Sequence, residues 1–181
     1  LKDYLSGYAV ELNSVSQDNM MLLFEWRNQP EIRSQMVNTE KLELAQHQNW
    51  FAKLAARTEQ KHYVIYYKQH AIGSINVRST DGQAIKQTRE AEVGLYIGEE
   101  KYRNNIVAFA PSLLINDYLF ENLNIQQLRS KVRSQNKAAL KYNQQLGYQL
   151  KPIDEDFTEI ILTADNYKQT TQQIKAWLSR G

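Results

Sequence analysis

Apolar and polar positions change period several times along the chain, and each change marks an element. Residues 8–12 (Tyr-Ala-Val-Glu-Leu) alternate as a short strand. Ser16 is suited to cap a helix running to Asn28, with Met20, Met21, Leu23, Phe24 and Trp26 as its apolar mass, and Pro30 breaks it. Met20, Met21 and Met36 are expected in the core. Leu44, His47, Trp50, Phe51 and Leu54 recur at helical spacing and predict an amphipathic helix over 42–57. The period then shortens. Segments 62–68, 71–78 and 89–97 are rich in β-branched and aromatic residues and read as three strands, with a turn at Lys68-Gln69-His70 and a longer connection at Asp81-Gly82. A helix follows over 107–122, and Pro111 fits it only in the first turn. Segment 127–133 reads as a strand. Asn136 caps a helix that stops at Gly147, a residue suited to a left-handed terminus. Two strands at 148–150 and 157–162 and a last helix at 165–179 complete the chain.

The resulting order is βααβββαβαββ plus a C-terminal helix. Three consecutive strands before a βαβ-like unit predict a mixed α/β (α+β) architecture, a mostly antiparallel central sheet covered by helices. No Pro/Ser/Gly-rich linker, repeat or low-complexity tract interrupts residues 1–181, so a single domain is expected.

Composition narrows the function classes without naming one. Twenty-two Lys+Arg against 20 Asp+Glu leave a formal charge of +2, without the basic stripe of a nucleic-acid binder. Hydrophobic residues make up 42 % and charged residues 23 %, enough apolar mass to fold. Cysteine is absent, which excludes disulfides, thiolate zinc sites and a cysteine nucleophile. No metal-ligand cluster stands out, and His62 and His70 are a hairpin apart. No apolar run approaches the roughly 18 residues of a membrane span. Residues 1–7 carry Lys2 and Asp3 and lack a signal peptide's apolar stretch. A soluble, cytoplasmic protein with no membrane or nucleic-acid partner is the expectation; the assembly is left open, a homodimer included.

Four stretches then carry a resemblance. They are Trp26-Arg27-Asn28 with Ile32-Arg33, Met36, His47 and Trp50-Phe51; 91–97 (Ala-Glu-Val-Gly-Leu-Tyr-Ile); Tyr102-Arg103 through Asp117-Tyr118-Leu119-Phe120; and Asn136, Ala139, Leu140 and Gly147-Tyr148. In this order and spacing they resemble the GNAT acyltransferases that use acetyl-CoA, over about residues 8–162. The likeness is strongest to the branch of amino-sugar (nonulosonic-acid pathway) and ribosomal-protein N-acetyltransferases.

The resemblance implies an acetyl-CoA-dependent N-acetyltransferase whose acceptor is the amine of a small or nucleotide-linked amino sugar, attacking the thioester directly. A transferase acting on protein N-termini or polyamines, or a degenerate relative that binds acyl-CoA without catalysis, are the alternatives. It implies that Leu95, Tyr96 and Ile97 line the pantetheine arm, with amides near Tyr96 and Ile97 steadying the oxyanion. The pyrophosphate is expected at Ile106, Val107, Ala108 and Phe109 with charge from Arg103, and Asn136 on the pantetheine. Glu92 is the expected general base, Tyr142 or Asn143 stands at the position of the acid, and Trp26, Arg27, Asn28 and Arg33 are expected to hold the acceptor. His47, on an apolar helix face, is expected to be structural. Three positions depart from the family pattern: Ile106 replaces the loop's first glycine, Asn143 the usual tyrosine, and Lys131 a glutamate found in some relatives. A β-branched residue at 106 resists a positive φ.

Overall fold

A computed structural model describes residues 1–103 and 105–178 of the 181-residue chain. Asn104 of the expected phosphate loop and Ser179 of the expected last helix lie outside the described residues. Eight strands form one sheet in the order β1-β2-β3-β4-β5-β6-β8-β7. They are β1 Tyr4–Gly7, β2 Val10–Ser14, β3 Gln60–Tyr67, β4 His70–Ser79, β5 Glu90–Ile97, β6 Gln127–Arg133, β7 Gln149–Pro152 and β8 Phe157–Thr163. Among the described residues only β5 and β6 run parallel. Six α-helices among the described residues cover the sheet: α1 Gln17–Asn28, α2 Pro30–Arg33, α3 Leu44–Leu54, α4 Phe109–Asn122, α5 Lys137–Gln145 and α6 Ala164–Leu178. Among the described residues no helix is long and apolar enough to cross a membrane.

Alternation in the strands divides the apolar residues between two cores. Tyr63, Ile65, Ile75, Val77 and Ala91 face one side and pack with Leu113, Ile115 and Leu119 of α4. Val64 faces the other side and packs with Leu23, Trp26 and Ile32 of α1 and α2. Met20 is buried as expected, but Met21 is 39 % exposed, because the next position on α1 turns about 100° away from the sheet.

The expected first strand is half of a hairpin. Tyr8 and Ala9 form its two-residue turn with φ of 53° and 64°, the left-handed pair a tight hairpin requires. Neither is the Gly or Asn that usually marks such a turn. Tyr8 is anchored instead by its hydroxyl, which donates to Asp117 Oδ2 on α4 at 2.6 Å. Pro30 ends α1 and also opens α2, as the first residue of that short helix.

Gly147, with φ +97°, terminates α5, and a Cβ built on it would lie 2.8 Å from the Asn166 carbonyl oxygen of α6. Gly147→Ala therefore combines a left-handed penalty of about 1–2 kcal/mol with a backbone clash. Urea unfolding is expected to show at least that loss; an unchanged midpoint would contradict the placement of α6 against this turn.

Candidate active site

The site begins where two strands part. β5 and β6 pair only at Glu90↔Gln127 and Ala91↔Leu128. Beyond that, β5 stays bonded to β4 from Arg78↔Glu92 to Gly73↔Ile97. Its opposite edge, 92–97, faces an opening with backbone groups that no strand satisfies, and such groups need partners. The opening widens into a cavity of about 760 Å³, walled by 92–97 on one side and by Ser130, Lys131, Val132, Asn136, Ala139, Tyr142 and Asn143 on the other. Leu95, Tyr96 and Ile97 thus lie where the pantetheine arm is expected. Burial pushes the Tyr96 phenol up to about 12.

At one end of the cavity stands the start of α4. Residues Ile106–Ala108 make a 3-10 turn capped by Asn105, whose Oδ1 accepts from the Val107 amide at 3.1 Å. The Ala108 amide donates to the Asn105 carbonyl (2.9 Å), and the Phe109 amide reaches the Ile106 and Val107 carbonyls. The turn is right-handed, so Ile106 needs no positive φ, and its side chain is 36 % exposed. The loss of the family's glycine is accommodated by this geometry. The amides of Val107, Ala108 and Phe109, where the pyrophosphate is expected, all have internal partners, and an anion must displace the Asn105 side chain to reach the Val107 amide.

Arg103 lines the cavity too, with its guanidinium held by three hydrogen bonds. Its Nε donates to the Ile97 carbonyl (3.0 Å), and its Nη2 donates to the Gly98 carbonyl (2.8 Å) and Gln29 Oε1 (2.6 Å). Through Nε and Nη2 the guanidinium ties the end of β5 to the α1–α2 junction. Asn136 is the N-cap the sequence suggested. Its Oδ1 accepts from the Ala139 amide at 3.1 Å, capping α5, and the residue lines the cavity.

Glu92 sits where the strands part. Arg78 Nη2 donates to its Oε2 at 2.6 Å, and Ser130 Oγ to its Oε1 at 3.1 Å. Its side chain is 30 % exposed and it lines the cavity. Tyr142 is part of the wall, with its hydroxyl committed to neighbours. Its hydroxyl is 2.9 Å from the Ala108 carbonyl and 2.7 Å from Ser112 Oγ, and its ring stacks on Phe109 at 4.6 Å. Burial pushes that phenol far above its ordinary value. Asn143 also faces the cavity, while its Nδ2 donates to the Ala139 carbonyl at 2.8 Å. Lys131 lines the cavity with its ammonium 4.8 Å from the centre of the Phe157 ring.

The acceptor side lies under α1–α3, and the structure redistributes the residues expected there. Trp26 is 2 % exposed, and its indole N–H donates to Glu99 Oε1 at 3.3 Å. Its ring lies so close to Gly98 that a Cβ there would come within 2.2 Å of it. Trp26 is therefore core and has no free face to offer a ligand. Asn28 is a clasp: its amide donates to the Leu42 carbonyl (2.9 Å) and its Oδ1 accepts from the Leu42 amide (2.8 Å). Arg33 is not among the cavity walls, although Arg27 is. Arg27 Nη2 donates to the Asn38 carbonyl at 2.9 Å, whereas its buried Nη1 has no partner among the described residues. Burial lowers the pKa of this guanidinium.

Four further residues were missed by sequence reasoning. Arg78 and Ser130 hold Glu92. Arg133 crosses from β6 to donate to the Met36 (2.8 Å) and Val37 (3.1 Å) carbonyls, securing the roof of the acceptor chamber. His62 lines the chamber, with Nε2 2.9 Å from Gln60 Oε1. Burial, aided by Arg57 and Arg78, holds it down at about 4, so it is neutral at pH 7. Strand alternation places His62 on this face, which is the one signal the sequence held. His47 is structural as expected, bonded to the Met20 carbonyl at 2.8 Å and stacked on Trp50 at 5.0 Å.

A family model described as "Acetyltransferase (GNAT) domain" matches residues 10–149, and the chain belongs to that family. It is an acyltransferase by that membership. The acetyltransferase PseH of Campylobacter jejuni is 29 % identical over 160 residues, covering 87 % of this chain and 92 % of that protein. Among solved structures, apo FdhC, described as a nucleotide-linked sugar GNAT, superposes with a TM-score of 0.78 at 16 % identity, over 98 % of this chain and 99 % of that one. AAC(6')-Ib in complex with paromomycin and acetyl-CoA superposes with a TM-score of 0.75 at 13 % identity, over 90 % and 97 % of the two chains. Both likenesses concern the fold.

Proposed function

We propose that the protein transfers the acetyl group of acetyl-CoA to the amine of a nucleotide-linked amino sugar. The observation that carries the reading is the fork between β5 and β6, an unpaired strand edge opening into one cavity that also holds the acceptor chamber. The sugar class draws support from the PseH relative and from the FdhC likeness.

The backbone of Leu95–Ile97 meets the amides of the pantetheine arm as an added strand would. The diphosphate takes the place of Asn105 Oδ1 at the start of α4, where the helix end favours negative charge. Asn136 contacts the arm from the opposite wall. When bound, acetyl-CoA supplies an activated acyl carbon. Amides near Tyr96 and Ile97 face the acyl oxygen, where preset donors stabilise developing charge. Glu92, steadied by Arg78 and Ser130, takes the proton that the acceptor nitrogen loses, directly or through one water.

Of the two arginines expected at the acceptor, Arg27 lines the cavity and Arg33 does not. Its Nη1 is a buried donor without a partner, in a chamber whose other walls include Leu23, Ile32, Met36 and Trp50. A phosphate oxygen satisfies it, whereas a polyamine is repelled. Arg27→Ala is expected to raise KM for a nucleotide-linked amino sugar about 10- to 150-fold, the worth of one charged hydrogen bond (about 1.5–3 kcal/mol). KM for acetyl-CoA should barely move. Steady-state kinetics with each substrate varied in turn checks this. An equal rise for both substrates would mean that the Asn38 clasp, not the acceptor, was lost.

A further inference from the structure

Asn143, at the family's acid position, has no titratable proton to give a departing thiolate. The Tyr142 hydroxyl next to it is committed to Ala108 and Ser112. A second phenol stands on the same wall. Tyr148 follows the left-handed Gly147, and its amide donates to the Asn143 carbonyl at 3.0 Å, which fixes it to the end of α5. The residue is 7 % exposed and lines the cavity. Its hydroxyl nevertheless makes no hydrogen bond among the described residues. The hydroxyl oxygen is not among the fully buried unpartnered atoms, so it is open to the cavity. Burial, then the neighbouring Tyr142 and the Glu92 carboxylate, push this phenol far above its ordinary value. It stays protonated at neutral pH, within electrostatic reach of Glu92.

We propose that Tyr148, the one cavity-lining phenol on this wall with an uncommitted hydroxyl, donates the proton to the departing sulfur. The proposal rests on the acetyl-transfer reading above. The acceptor nitrogen forms a bond to the acyl carbon. The carbon–sulfur bond breaks, and its electron pair stays on sulfur. The Tyr148 hydroxyl proton moves to that sulfur and leaves the free thiol. Glu92 holds the proton lost by nitrogen and returns it to the phenolate, directly or through water. One proton thus passes from nitrogen to sulfur, and both side chains end as they began.

Two measurements on the full chain test this. The first needs no acceptor: coenzyme A is bound, and ionisation of its thiol is followed by ultraviolet difference absorbance against the desulfo-CoA complex. A phenol donating to sulfur stabilises the thiolate. Tyr148→Phe should therefore shift the bound thiol's ionisation to higher pH, and Asn143→Ala should leave it in place. The second compares acetyl-CoA with its selenoester analogue, whose leaving selenolate is far less basic. Tyr148→Phe should lower kcat about 100-fold with acetyl-CoA, the lower end of a general-acid effect, with KM nearly unchanged. Most of that deficit should vanish with the selenoester. An unshifted thiol ionisation, or equal deficits with the two donors, would overturn the proposal. A wild-type protein inert towards every amine would sink the acetyl-transfer reading. The thiol titration would still decide the Tyr148–sulfur contact by itself.

Discussion

Glu92→Gln is expected to lower kcat by about 100- to 10,000-fold, the usual contribution of a general base. Acetyl-CoA affinity should stay near the wild-type value. The carboxylate lies where β5 and β6 separate, so it borders both the opened strand edge and the acceptor chamber. Gln keeps the shape: its amide oxygen can accept from Arg78 Nη2 and its NH2 can donate to Ser130 Oγ, so the local geometry survives. It cannot take a proton from an ammonium. The defect should therefore be largest at low pH, where the acceptor amine is protonated. Pre-steady-state thiol release together with calorimetric acetyl-CoA binding separates the two effects. An unchanged rate would reduce Glu92 to a strand residue that anchors Arg78.

Ala108→Glu is expected to weaken acetyl-CoA binding about 1,000-fold. Ala108 is 8 % exposed, borders the cavity and closes the 3-10 turn before α4. A carboxylate there meets the diphosphate at close range. Two unit charges about 4 Å apart repel by about 4 kcal/mol at an effective dielectric of about 20. Ala108→Gln separates charge from bulk and should lose far less. Thermal melts of both variants report whether the Tyr142 bond to the Ala108 carbonyl, and with it the α4–α5 contact, is intact. Equal affinity in the Glu and wild-type proteins would move the diphosphate away from this helix start.

Local signals in the sequence reached the elements better than the site. The strand at 127–133 and the Asn136 cap coincide with the structure, because both rest on residues acting on near neighbours. β1 was missed because its turn is Tyr8-Ala9, and what holds that turn is Asp117 on a distant helix. Trp26 was misplaced for a similar reason. An indole before a helix break reads as open to a cleft, yet Gly98 and Glu99 enclose it from across the fold. The partners of Glu92 lie 14 and 38 residues away, and the Arg133 clasp spans 97. No spacing rule finds such contacts. Tyr148 was visible only as the end of a family motif, and its free hydroxyl emerges once Tyr142 and Ser112 are seen to pair with each other.

The proposed reaction pairs acetyl-CoA with a nucleotide-linked amino sugar. Thiol release measured with saturating acetyl-CoA over a panel of acceptors tests it most directly: a nucleotide-linked amino sugar, the free amino sugar, spermidine and a peptide with a free N-terminus. The expected result is a kcat/KM for the nucleotide-linked sugar well above all the others, with the advantage over the free sugar much reduced in Arg27→Ala. Preference for the peptide or for spermidine, or no thiol release with any acceptor despite acetyl-CoA binding, would contradict the account.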